Sequence, residues 1–198
     1  SGTYNMYCHR EPRFYVTVAF HNGWFPSEKR RYNFFMNGAD NPHTHDAPQN
    51  GYLIRKKVSP ETIVLEGNFK YRPGIICRLS EAYLNYAEAL NEVEPATQEA
   101  LDYLNKIRER AGVRKYTFGA SDADYIHVDA NQDAVRKVIR AERRVELCCE
   151  GLRYNDLRRW KEAEAKLNGD FYGMNYSGAN ADSFFKLTAY QTRVYNKS

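Results

Sequence analysis

The sequence predicts a mainly α protein: helical hairpins beside an irregular region of loops and short strands. Three observations predict it. Apolar residues recur at three- and four-residue spacings in three stretches, Leu79 to Leu90, Leu101 to Ala111 and Val135 to Cys149, which is the periodicity of amphipathic helices. A short link around Pro95 separates the first two, so those helices must run antiparallel. Outside these stretches the chain is rich in Asn-Gly pairs and aromatics, with one run of strand-like alternation.

Each element follows from local chemistry. In the first region, residues 1–70, Phe14, Val16, Val18 and Phe20 alternate with Tyr15, Thr17 and Ala19, which predicts a strand. Asn22-Gly23, Asn37-Gly38 and Asn50-Gly51 predict turns, because both residue types tolerate positive φ. A second short strand is expected at Tyr52 to Val58. The helical region, residues 74–165, opens with a helix carrying Leu79, Tyr83, Ala87 and Leu90, stopped near Pro95. Leu101, Leu104, Ile107 and Ala111 mark a second helix, with Gly112 where a C-terminal cap belongs. Ala82, Ala87, Ala89 and Ala100 let the two approach closely, and the pair looks like one tetratricopeptide-type repeat of an α-α superhelix. No second copy follows at a fixed period. A third helix is expected from a capping box, Asp129-x-x-Gln132, to Gly151, and a shorter one from Arg153 to Trp160. Residues 166–198 read as an aromatic loop tail.

Composition excludes several classes. With 198 residues, 42% hydrophobic and 27% charged, the chain is globular in composition. It lacks a run of about 18 apolar residues, the minimum for a membrane-spanning helix. The four cysteines show no C-x-x-C spacing, and Cys148 and Cys149 are expected to be small buried residues on a helix. Tyr4-Asn5-Met6-Tyr7 is not an apolar signal region, so Cys8 is not read as a lipidated cysteine. The formal net charge of +4 is unevenly placed: nine basic and four acidic residues lie between Arg136 and Lys161, leaving the rest of the chain near neutral.

That basic segment carries the most information. It reads A-E-R-R-V-E-L-C-C-E-G-L-R-Y-N-D-L-R-R-W from Ala141 to Trp160. Glu142, Glu146 and Glu150, spaced by four, would line one helix face beside the apolar stripe. Like charges so placed repel by roughly 0.2–0.5 kcal/mol per pair, and carboxylates near a core need cationic partners. Arg108, Arg110, Arg143, Arg153 and Arg159 are the arginines available, with Asp156 as a further carboxylate. The expectation is a structural carboxylate–guanidinium network that depends on planar, bidentate pairing. A nucleic-acid site would cluster Lys and Arg on an open face, whereas here Arg alternates with acids.

Two strings then carry a resemblance. R-L-S-E-A-Y-L-N-Y-A-E-A-L-N-E with A-L-D-Y-L-N-K-I-R-E-R-A-G-V, between Arg78 and Val113, resembles the hallmark segment of the SusD/RagB family. So does E-R-R-V-E-L-C-C-E-G-L-R-Y-N-D-L-R-R-W, while R-E-P-R-F-Y-V-T-V and N-G-Y-L-I-R-K-K match less specifically. The resemblance implies a partial SusD-like fold, with tetratricopeptide-like helix pairs carrying an irregular ligand-binding lobe. It implies a surface-exposed lipoprotein of the cell outer membrane that binds oligosaccharides or other nutrients. Such a protein hands them to a SusC-type TonB-dependent outer-membrane transporter and is not an enzyme. Family members are longer, so residues 1–198 are expected to be the C-terminal portion of such a domain, with the anchor outside it.

The resemblance transfers no binding residue, so ligand contact is argued from chemistry. A sugar ring presents weakly positive C–H groups to the negative face of an aromatic ring. Trp24, Phe25 and Tyr32, between the first two Asn-Gly turns, are the first candidates, and Tyr172 and Tyr176 the second. An alternative function is a helical scaffold that binds another protein and no sugar. A third is a metal-dependent hydrolase at His43-x-His45-Asp46, whose spacing could ligate a metal. No phosphate-binding glycine loop or G-x-S-x-G nucleophile motif occurs, and no cofactor is implied.

Overall fold

In the computed structural model, residues 3–43, 49–63 and 66–196 are described. The chain divides into two units. One comprises Glu11–Arg13 with Pro73–Arg153, and the other holds the rest.

The first unit is helical. α2 (Leu79–Val93) buries Leu84, Ala87, Glu88 and Asn91, and α3 (Gln98–Arg110) buries Ala100, Leu101, Leu104, Ile107 and Arg108. Those spacings of three and four put each set on one helix face. Glu94 ends α2 and the Thr97 hydroxyl accepts from the Ala100 amide to start α3, so the link is short and the helices pack side by side. α3 ends in a Schellman motif: Gly112 sits at φ +67°, its N–H donates to Glu109, and the Val113 N–H donates to Arg108. α4 (Gln132–Glu146) packs on α2 and α3 and buries Val135, Ile139, Glu142, Arg143 and Glu146. Leu84, Leu101, Leu104, Ile107, Val135 and Ile139 belong to one buried apolar core.

Side-chain amides fasten α2 to α4 and α3 to the strand that follows it. Asn91 donates to the Gln132 carbonyl (3.0 Å) and accepts from the Ala96 amide, while Gln132 donates back to the Asn91 carbonyl. Asn105 donates to and accepts from the backbone of Tyr116 (2.8 and 2.7 Å), fastening β5 (Lys115–Thr117) to α3. β5 pairs in parallel with β6 (Tyr125–His127).

The second unit is built from two-stranded antiparallel sheets and aromatic packing. β1 (Val18–Phe20) pairs with β4 (Tyr52–Ile54), β2 (Trp24–Phe25) with β3 (Arg30–Arg31), and β7 (Gly169–Met174) with β8 (Leu187–Arg193). Ala19, Tyr32, Phe34, Met174 and Phe184 form its core. The three Asn-Gly turns have positive φ at Asn22, Asn37 and Gly51. Gly51 has a second reason to be glycine: a Cβ there would lie 2.8 Å from Met174 and 2.9 Å from Phe184.

The structure differs from the sequence reading at five places. Residues Pro12–Thr17 form a helix, α1, and only Val18–Phe20 is strand. Pro12 occupies its first position, where a fixed φ favours a helix start, and Val16 is exposed. The second strand stops at Ile54, short of Val58. The cap of α4 is Asn131, which accepts from the Ala134 amide at 2.9 Å, and not Asp129. α4 ends at Glu146, before Gly151, so Cys148 and Cys149 lie beyond the helix and are exposed. The aromatic tail contains the β7–β8 pair, with the short helices α5 (Arg153–Arg159) and α6 (Ala163–Leu167) before it and α7 (Ala181–Phe184) between its strands.

Candidate functional site

In the helical unit, α4 presents Glu142 and Glu146 one turn apart on its core-facing side, each with a side chain only 2% exposed. Two adjacent buried carboxylates repel each other and lose hydration, so they persist only among cations. Four arginines supply them. Arg108 on α3 donates to Glu142 Oε2 (2.6 Å), and Arg13 on α1 donates to Glu142 Oε1 (2.5 Å) and Glu146 Oε2 (3.0 Å). Arg78, just before α2, and Arg110, at the end of α3, both donate to Glu146 Oε1. Arg78 also clasps Glu150 with two parallel bonds, Nε to Oε2 (2.8 Å) and Nη2 to Oε1 (2.7 Å), and donates to the Glu146 carbonyl (2.7 Å).

Burial alone would push the Glu146 carboxyl up. The hydrogen bonds from Arg78 and Arg13 outweigh it and hold it at about 2. Arg13 and Arg78 are correspondingly pushed up. Burial opposes that rise in both, more strongly than any other influence on Arg13, and is overcome there by the Glu11 and Glu142 carboxylates. In Arg78 the Glu150 carboxylate is the largest influence. Arg108 stacks over Tyr116, 4.0 Å from its ring centroid, and donates to the Arg114 carbonyl (2.6 Å). Arg13, Arg78 and Arg108 are each used as a planar fork with several donors, which a lysine cannot reproduce. Within the helical unit the arrangement ties Arg13, Arg78, α3 and α4 together, and both oxygens of Glu142, Glu146 and Glu150 accept hydrogen bonds from it.

Of the other network candidates, Arg143 donates to Asn85 Oδ1 (2.7 Å) on α2. Asp156 and Arg159 pair with each other within α5 at 2.9 Å, and Arg153 is the first residue of α5. Sequence reasoning missed Arg13 and Arg78. Arg78 opens the quoted hallmark string, but nothing local marks it as a partner of residues 68 and 72 positions away.

In the second unit the aromatic candidates separate by exposure. Trp24 is 51% exposed on β2, opposite Arg31, and Tyr172 is 55% exposed on β7 beside its bulge. Tyr32 is 4% exposed, stacked between Phe25 at 4.5 Å and Phe34 at 5.7 Å, so its ring faces are already covered. Phe25 is half-buried beneath the Arg30 guanidinium, which Asp40 holds by two hydrogen bonds (2.7 and 2.9 Å). Tyr176 is half-buried beside His43. Among the described residues no ring contact joins Trp24 to Tyr172 or Tyr176. Phe69 and Tyr71, 69% and 89% exposed, were not singled out, although Gly67 and Pro73-Gly74 flank them as turn residues flank Trp24.

His43 Nε2 lies 3.3 Å from Ser177 Oγ, whereas His45 and Asp46 fall outside the described residues. Among the described residues no three His, Cys, Asp or Glu side chains gather as a metal site, and no helix is long and apolar enough to cross a membrane.

Comparison with known proteins places this architecture. The SusD family model matches residues 1–197. The chain belongs to the SusD family. It is similar to SusD-like protein P2 of Formosa agariphila, with 34% identity over 100 residues, half of this chain and 18% of that protein. Among solved structures it is similar to the protein described as selenomethionine BT4246, with a TM-score of 0.69 and 31% identity over 94% of this chain and 33% of that one. A SusD-like carbohydrate binding protein of Bacteroides fragilis NCTC 9343, BF0978, shares the fold, with a TM-score of 0.71 and 22% identity over 97% of this chain and 38% of that one. The chain thus spans a third or slightly more of the length of these two solved structures and under a fifth of SusD-like protein P2.

Proposed function

We propose that this chain is part of a protein that binds glycans or other nutrients at the outer-membrane surface, without transforming them, for import through a SusC-type TonB-dependent transporter. The observation that carries the proposal is the SusD family match along residues 1–197. The carbohydrate-binding description of the structural relative BF0978 supports a sugar ligand. Within this chain the reading rests on exposed aromatic rings, with Trp24 and Tyr172 offering open faces for sugar stacking. Phe25 and Tyr176 are half-buried and leave part of each ring open, and Tyr32 serves as packing beneath Phe25. The lattice around Glu142 and Glu146 is read as holding the helices of its own unit together, not as a reaction centre.

A glycan array probed with the purified protein, followed by calorimetry on the selected glycan, tests the proposal. Trp24→Ala should weaken binding by about tenfold, the loss expected when one stacking ring worth ~1–1.5 kcal/mol is removed. Undiminished affinity of that variant would remove Trp24 from the site, and an array with no bound glycan would refute the sugar ligand.

A further inference from the structure

The turn that follows α4 contains an unusual pair. Cys148 and Cys149 are adjacent and exposed, with their sulfurs 3.5 Å apart. Cys149 adopts φ +63°, a left-handed conformation that costs a residue with a Cβ energy. The pair lies between Glu146 and Glu150, the two residues that Arg78 clasps. The turn that brings Glu150 back to Arg78 is held by Cys148 N–H donating to the Val145 carbonyl and Glu150 N–H donating to the Leu147 carbonyl.

We propose that Cys148 and Cys149 form a reversible vicinal disulfide by exchange with an external low-molecular-weight disulfide, and that closing this ring loosens the Arg78–Glu150 clasp. The sulfurs sit 3.5 Å apart and must close to about 2.05 Å to bond. One cysteine, as thiolate, attacks a sulfur of the external disulfide and expels one thiolate. The neighbouring thiolate then attacks the protein sulfur of the mixed disulfide and expels the second. Each cysteine gives up a proton, the protein loses two electrons, and one external disulfide becomes two thiols.

The ring is strained by construction. Neighbouring Cα atoms across a trans peptide lie about 3.8 Å apart, below the roughly 4.4–6.8 Å that relaxed disulfides span. Strain makes the bond easily reduced, which is the property of a switch and not of a staple. It also requires the backbone between Glu146 and Glu150 to move, which is where the clasp is most exposed to disturbance. An exposed thiol pair is open to such exchange, whereas a buried pair would be inert.

Glutathione disulfide is the probe. The folded chain is incubated with it, quenched by alkylation and mapped by peptide mass spectrometry. The peptide spanning Cys148 and Cys149 should lose two hydrogens and regain them with dithiothreitol. Cys149→Ser should instead retain one glutathione on Cys148. Persistent glutathione on both cysteines of the wild type, a bridge to Cys77 or Cys8, or an unoxidised peptide would overturn the proposal. Thermal unfolding reads the clasp. The ring-closed protein should melt about 2–4 °C lower than the reduced one, with no such fall for treated Cys149→Ser. Ring closure with an unmoved Tm would overturn the link to Arg78.

Discussion

Glu146 accepts hydrogen bonds from Arg13, Arg78 and Arg110 while its side chain is 2% exposed, which makes it the residue on which the helical unit most depends. Removing one partner of a buried ion pair leaves uncompensated charge, so Glu146→Gln should cost about 3 kcal/mol and lower Tm by roughly 10 °C in a chain of this length. An unchanged Tm by scanning calorimetry would contradict the role. The same carboxyl predicts a pH dependence. Its folded value, about 2, lies below its ordinary 4.5, so its contribution is complete above pH 4.5 and is lost as the pH falls toward 2. Tm of the wild type should therefore decline more steeply across that acidic window than Tm of Glu146→Gln. Parallel slopes would show that the carboxylate contributes no linkage. Glu142 and its partner Arg108 were both legible in the sequence, because carboxylates on an apolar stripe demand cations and the neighbouring helix carries them. Arg13 was not, since it lies 129 residues from Glu142 and no local pattern joins them.

At the scale of elements, α2 and α3 are the parts most readable from sequence, because their stripes, their short link and their terminal glycine all agree. The Schellman end of α3 gives a clean test. A Cβ at Gly112 meets only Pro12 Cγ, at 4.0 Å, so substitution there strains the backbone at φ +67° and disturbs little else. Gly112→Ala should cost about 1 kcal/mol, measured by urea unfolding, whereas a stabilised variant would contradict the left-handed cap. Elements outside the helices were harder to read. Phe14 to Phe20 alternates like a strand, but Pro12 starts a helix turn there and the pairing partner of Val18–Phe20 is only three residues long. β7 and β8 were hidden because Gly169, Gly173 and Gly178 give a loop signature, and the pairing is decided by residues more than a dozen positions away.

At the scale of the molecule, the sequence carried the family, and the family carries most of the functional reading. The two hallmark strings, Arg78 to Val113 and Glu142 to Trp160, include every lattice residue except Arg13 and its partner Glu11. The ligand site was less legible. Aromatic residues between turn residues can point outward or fold under, and only tertiary packing decides. Trp24 remains exposed, while Tyr32, in the same turn region, is closed between two phenylalanines. The helical unit can be read residue by residue because its stripes and charges follow a helical period, whereas the openness of a ring in the other unit depends on packing that no period records. Calorimetric titration of the protein with an array-selected glycan is the most direct test of a protein that binds its ligand without altering it. The account predicts a heat of binding that saturates and ends with each injection, and a sustained heat flow from turnover after each injection would contradict it.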